Sequence, residues 1–428
     1  MASAREKVLK GLYKIENDGA YSNKALNDIL SDRSLADIDR AFVTELMMGI
    51  TGHKLRLDYV IQRFSKLKLK KLSPWVHQIL RMGVYQILFM DGVPDSAACN
   101  ESVKLAAKYG HGAAKGYVNG VLRSVVRGRD DIAYPSDGKE RLSVLYSYPM
   151  WLTEKLINQY GEETVEKIMA ESHKAHPVTV RVNSLKTNNA ELTDILRREG
   201  INAVPSESAP YCIYINGALN INSSEAYKNG LYTLQNKSSM AAVESLKPKP
   251  NELILDLCAA PGGKTTYIAE LMQNKGRIIA FDIHPHKIEL INNAAKRLGI
   301  SVINAEANDA EVLKNELTGT ADRVLADVPC SGIGVIHKKP DIKWRRAAED
   351  IPKLCAVQQR ILNNAAEYVR PGGTLVYSTC TILKEENEQQ VKKFLDKHTE
   401  FCLEEERTLH TFETGGSGFY IARLVRGK

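Results

Sequence analysis

The stretch ELILDLCAAPGGKTTYIAELM, residues 252–272, decides the fold. An unbroken apolar run ends in an acid. A turn of small residues follows, and then apolar residues recur at helical spacing. This is strand, turn, helix, with the strand buried on both faces. The rhythm continues downstream as RIIAFDI (277–283), KIELINNAAKRLG (287–299), VINA (302–305), RVLADV (323–328), TLVYST (374–379) and EENEQQVKKFLDKH (385–398). Such alternation predicts a doubly wound, mostly parallel α/β sheet of Rossmann-like type over 246–428. GFYIARLV (418–425) is expected to close it as an antiparallel edge strand.

Upstream the pattern changes. LADIDRAFVTELMMGITGHKLRLDYVIQRF (35–64) and SPWVHQILRMGVYQILFM (73–90) repeat apolar residues at three and four positions, and Ser73-Pro74 reads as an N-cap and first-turn pair. Residues 1–135 are therefore expected to form an all-α bundle. RGRDDIAYPSDGKERLSVLYSYP (127–149) reads as a linker. Residues 145–245, with the helical MWLTEKLINQYGEETVEKIMAES (150–172) and the strands VTVRV, CIYI and YTLQ, read as a small α+β module.

The composition excludes several classes. Hydrophobic residues at 43% and charged ones at 25% of 428 residues fit globular domains rather than a disordered or fibrous chain. No apolar run is long enough for a membrane span, and Glu6, Lys7, Lys10 and Lys14 stand where a signal peptide needs apolar residues, so a cytoplasmic protein is expected. Seven cysteines without a CxxC pair fit free thiols, with no metal site. The net charge is +7, and residues 1–150, with 23 basic and 16 acidic side chains, carry all of it. Lys66, Lys68, Lys70 and Lys71 alternate with leucine there, which points to a polyanionic partner, nucleic acid first.

The turn Cys258-Ala259-Ala260-Pro261-Gly262-Gly263-Lys264 lets backbone approach a ligand and presents helix N–H groups to an anion. It is neither GxGxxG nor a P-loop, which disfavours a di- or triphosphate. Asp282 lies 20 residues beyond Gly262, where an acid accepts hydrogen bonds from ribose hydroxyls. A ribose without a diphosphate fits S-adenosylmethionine, with Asp309 and Asp327 available to its adenine, ammonium or sulfonium. Two further strands end in thiols, Asp327-Val-Pro-Cys330 and Ser378-Thr379-Cys380. If these strands are neighbours, both thiols reach one pocket. One thiolate adding to C6 of a cytosine makes C5 nucleophilic enough to take a methyl group; the second assists release, and Asp327 stabilises charge at N3. Cys99, Cys212, Cys355 and Cys402 read as small buried hydrophobes.

These residues resemble the RNA cytosine-5 methyltransferase family, the NOL/NOP/Sun group, from about Trp151 to the end. The motifs are DLCAAPGGKT (256–265), the acid of FDI at Asp282, NDA with Asp309, DVPCSGIG (327–334), KPDIKW (339–344), PGGTLVYSTCT (371–381) and the terminal GFYIA. Carried onto matching positions, the resemblance implies Cys380 as nucleophile, Cys330 as the residue assisting release, and 258–264, Asp282, Asp309 and Asp327 as cofactor contacts. RVNSLK (181–186) resembles the family's RNA-binding module. Residues 1–130 are similar to NusB, an RNA-binding factor, and this layout is that of the family's bacterial 16S rRNA branch. The resemblance thus implies a 16S rRNA cytosine-5 methyltransferase using S-adenosylmethionine, a monomer acting on free rRNA or an early small-subunit particle. Another RNA substrate such as tRNA, or a non-catalytic RNA-binding assembly factor, are the alternatives. Amino-group methylation, which uses an NPPY-like exit, is disfavoured by the thiol after Pro329, and DNA by the thiol at position 380.

Overall fold

The computed structural model describes residues 3–32, 35–217, 220–221 and 223–428. The chain forms two compact units, Met1–His173 with Ile336–Arg346, and Lys174–Val335 with Ala347–Lys428.

The first unit is helical: α1 (Ala4–Asn17), α2 (Ser22–Leu30), α3 (Asp37–Gly52), α4 (Lys54–Phe64), α5 (Pro74–Phe89), α6 (Asp95–Tyr109), α7 (Ala114–Gly128), α8 (Gly138–Leu145), α9 (Met150–Tyr160) and α10 (Glu162–Glu171). Ser73 Oγ accepts the Val76 N–H and Pro74 occupies the first turn of α5, as the sequence suggests. Leu46, Met47, Ile79, Leu80 and Leu122 are buried together in one apolar core.

One expectation changes here. The stretch read as a linker contains α8, because Asp137 Oδ1 accepts the Lys139 and Glu140 N–H groups and Leu142 is fully buried behind them. Helices α9 and α10 pack against α8 within the first compact unit.

The second unit begins with β1 (Val178–Val182), α11 (Asn189–Arg198), β2 (Asn202–Pro205), β3 (Cys212–Asn216), α12 (Glu225–Lys228) and β4 (Tyr232–Leu234). The four strands form an antiparallel sheet in the order β2-β3-β1-β4. The sequence reading misses β2, whose Pro205 is tolerated because the strand lies at the edge.

There follow α13 (Lys237–Leu246), β5 (Leu253–Asp256), α14 (Gly263–Leu271), β6 (Arg277–Asp282), α15 (Pro285–Leu298), β7 (Ile303–Ala307) and β8 (Ala321–Asp327). The short α16 (Ile342–Arg345) lies in the segment that joins the helical unit. The chain ends with α17 (Asp350–Tyr368), β9 (Val369–Thr379), α18 (Glu388–Lys397), β10 (Phe401–Leu409), α19 (Thr411–Thr414) and β11 (Phe419–Arg426).

The large sheet has the order β10-β11-β9-β8-β5-β6-β7, with β9 to β7 parallel and β10 and β11 antiparallel. The final strand β11 is thus antiparallel as expected but interior. The edge is β10, hidden from sequence because Glu404, Glu405, Glu406 and Arg407 interrupt its apolar pattern, a charge load that also discourages edge pairing. Cys402 on that edge is exposed, not buried. From β5 the chain runs outward through β6 and β7, then crosses to β8 and β9, so strand order reverses beside β5. A ligand crevice is expected there, above the strand ends.

Candidate active site

The strand ends bring the acids of the sequence reading together. Asp256, Asp282 and Asp327 are the last residues of β5, β6 and β8, and Asp309 follows β7 by two positions. Together with burial, the charges of Asp256, Asp327, Asp282 and Asp309 push the Cys258 thiol well above its ordinary range, so this cysteine is an inert neutral wall among carboxylates. Asp282 Oδ1 accepts the His284 N–H at 3.1 Å, and Asp309 Oδ1 that of Glu311 at 2.9 Å.

The turn between β5 and α14 is held by Ala259 N–H donating to Phe281 O and Gly262 N–H to Ala259 O, each at 2.8 Å. Ala259 packs on Ala280 and Ile291, while Ala260 is half-buried and Pro261 exposed. Gly262 has φ +100°, and a Cβ there would stand 3.2 Å from the Ile291 Cα. Glycine alone meets both demands. At Gly263 a Cβ would find no neighbour nearer than 3.9 Å, so the first turn of α14 has room for a ligand against its backbone.

Beneath the turn lies Asp256, which sequence analysis did not single out. Its Oδ2 accepts the Thr265 hydroxyl at 2.7 Å, whereas Oδ1 is buried without a hydrogen-bond partner. Burial raises its carboxyl to about 7, against the opposing Thr265 hydrogen bond. An orphaned acidic oxygen under a glycine-lined turn suits a ligand that carries a cationic group.

Strands β8 and β9 are parallel neighbours, with Asp327 opposite Ser378. Their exits place Cys330 Sγ 3.0 Å from Cys380 Sγ, and both side chains retain part of their exposure. A hydrogen bond to Cys380, then burial, hold the Cys330 proton well above the usual thiol range. Asp327 accepts from Lys264 Nζ at 2.5 Å and from the Ser378 hydroxyl at 2.8 Å. Lys264, read from sequence only as part of the cofactor turn, therefore spans from that turn to Asp327 at the end of β8. Burial alone would lower its pKa, but the charges of Asp327, Asp256 and Cys380 raise it.

Two buried latches complete the site, and local pattern reveals neither. Glu386, fully buried, accepts the Ser331 N–H (2.8 Å), the Ser331 hydroxyl (2.5 Å) and the Gln358 amide (2.9 Å), which locks the loop after Cys330. Arg181 of β1 is also fully buried. It donates to both carboxylate oxygens of Glu270, to Thr266 Oγ1, to Gly263 O and to Gln235. Arg181 and the buried Asn183 thus anchor the turn of α14 and the neighbouring loops; neither side chain of the RVNSLK motif is free to touch RNA.

Residues 243–424 match the family described as 16S rRNA methyltransferase RsmB/F, residues 2–127 the NusB family, and residues 148–222 the ferredoxin-like domain of RsmF/B-like methyltransferases. The Bacillus subtilis protein named "Probable ribosomal RNA small subunit methyltransferase B" is 40% identical over 93% of this chain and 89% of its own. The ribosomal RNA small subunit methyltransferase B of Proteus mirabilis is 32% identical over 98% of each. Among solved structures, NSun6 from Pyrococcus horikoshii with SFG covers 66% of this chain and 100% of its own at 25% identity and TM-score 0.62. With a NusB-like helical region, a ferredoxin-like module and a Rossmann-like catalytic sheet in one chain, the protein belongs to the RsmB/F family of rRNA methyltransferases.

Proposed function

We propose that the chain methylates C5 of a cytosine in 16S rRNA with S-adenosylmethionine as donor, through a covalent bond between Cys380 and C6. The observation that carries this reading is the thiol pair at the exits of two neighbouring strands, its sulfurs 3.0 Å apart, beside Lys264 and Asp327. The orphaned Asp256 oxygen and the open first turn of α14 suit the donor's cationic and carboxylate groups, and SFG, an analogue of the same donor, accompanies the related NSun6 structure. In this reading Asp282 takes the ribose hydroxyls and Asp309 faces the adenine. When bound, the donor supplies one electrophilic methyl group.

Cys380 attacks as thiolate, favoured by the Lys264 ammonium, and its S–C6 bond pushes electron density to C5. Asp327 stabilises charge at N3. After methylation the C5 proton must leave and the S–C6 pair must return to sulfur. Cys330 serves both ends in one step: as the C5 proton leaves, it hands its own proton to the departing Cys380 sulfur 3.0 Å away and takes the C5 proton in its place. The base must be single-stranded or flipped out, since neither thiol reaches C6 within a stacked helix.

The test uses purified full-length protein, labelled donor and 16S rRNA transcript. Cys380→Ala is expected to abolish transfer with donor affinity nearly unchanged. Cys330→Ala is expected to accumulate a denaturant-resistant protein–RNA adduct. Full activity of the first variant, or normal turnover without adduct in the second, overturns the assignment.

A further inference from the structure

Within the helical unit a cavity of about 220 Å³ opens between α1, α3, α5 and the returning segment with α16. We propose that it receives one unstacked base of the RNA, adenine by preference; the proposal rests on RNA being this chain's substrate. Leu12, Ile15 and Ile50 supply an apolar wall, and the Trp344 indole lines the cavity too, fixed by its Nε1–H donating to Thr51 O at 2.7 Å and with the Lys54 Nζ 5.4 Å from its ring centre. Gln78 supplies the polar edge. It is 2% exposed, lines the cavity, and its side chain has no hydrogen-bond partner among the described residues. A Gln78 amide that faces the cavity without a protein partner can pair with a ligand that offers a matching donor and acceptor.

The charges around the cavity argue for a neutral guest. Arg81 is held by both oxygens of Asp58 at 2.7 and 2.6 Å, Lys54 pairs with Glu16 at 2.8 Å, and Arg345 with Asp341 at 3.0 Å. No cation among these is left uncompensated for a free phosphate. The volume is below the roughly 300–1,000 Å³ of sites for drug-sized ligands, which suits a single ring system. A glutamine amide pairs bidentately with N6 and N7 of adenine, and base stacking on an aromatic ring is the usual way proteins hold an unstacked nucleotide. The segment that carries Trp344 begins six residues after Cys330, so the base would sit against a strap covalently continuous with the thiol loop.

The test is ultraviolet cross-linking of the full chain to a 16S rRNA transcript, with cross-linked peptides mapped by mass spectrometry and turnover measured in parallel. Adenosine cross-links on Trp344 or on residues 74–81 are expected, and both Gln78→Leu and the cavity-filling Ile15→Phe should remove them. Gln78→Leu should raise KM for the transcript about tenfold, the value of one good base contact. Its melting temperature should not fall, since an unpaired amide is replaced by a hydrocarbon; a purely structural Gln78 would give the opposite. Cross-links confined to other peptides, or a KM within twofold of the parent in both variants, overturn the proposal. A parent chain that transfers no methyl group defeats the proposed function, while the cross-link map still decides the cavity.

Discussion

Asp256 shows how one buried group couples stability to chemistry. Its carboxyl, near 3.8 in an unfolded chain, lies at about 7 in the fold because burial penalises the charged form. A folded pKa above the unfolded value makes the folded state the stronger proton binder between the two. Its contribution is therefore fully present below pH 4 and is lost as pH rises through 7. Asp256→Asn should accordingly be more stable than the parent at pH 8 by about 2–4 kcal/mol and nearly equal at pH 4, while binding the methyl donor more weakly. Urea unfolding of both proteins at the two pH values checks this; an Asn variant less stable at pH 8 would mean the carboxylate is ionised and well solvated. The sequence marked Asp282, Asp309 and Asp327 because they follow recognisable strands with exposed turns. Asp256 escaped notice because its orphaned oxygen depends on what covers it.

At the level of strands and helices, the Arg181–Glu270 pair ties β1 to α14. Both side chains are fully buried and separated by 89 positions in sequence. Breaking such a pair leaves a charge uncompensated, so Arg181→Ala should destabilise the second unit by about 3–5 kcal/mol, whereas Arg181→Met with Glu270→Met should recover most of that loss. A double-mutant cycle by denaturant unfolding measures the coupling, and additive losses would show the pair to be independent. Because Arg181 also holds Gly263 O and Thr266, the Met pair is expected to remain impaired in donor binding even where stability returns. The pattern of RVNSLK announces a strand. It says nothing of a guanidinium turned inward onto a distant helix.

For the molecule as a whole, charge and connectivity matter most. Lys66, Lys68, Lys70 and Lys71 are all exposed, and no ion pair engages them among the described residues. Replacing all four by alanine should reduce the slope of log K against log salt for RNA binding by about 0.7–0.9 for each phosphate no longer neutralised. Filter binding across a salt series reads that slope, and an unchanged value would make the run a solvated surface. Removing residues 1–130 instead would be a poor test. It strips the partners of Lys343, 1% exposed and donating to Gly52 O, and of Trp344, and so confounds RNA binding with folding.

The order of strands and helices, the cofactor-type turn, the acids at strand ends and the basic N-terminal region follow from sequence, because hydrophobic period, turn chemistry and charge are local properties. What required the tertiary structure is every relation across long separations. Cys330 meets Cys380 across 50 positions only because β9 returns beside β8. Glu386 locks the Cys330 loop, Arg181 braces the turn between β5 and α14, and residues 336–346 leave the second unit to join the helices. Such relations arise from chain crossings and burial, and no periodicity along the chain encodes them.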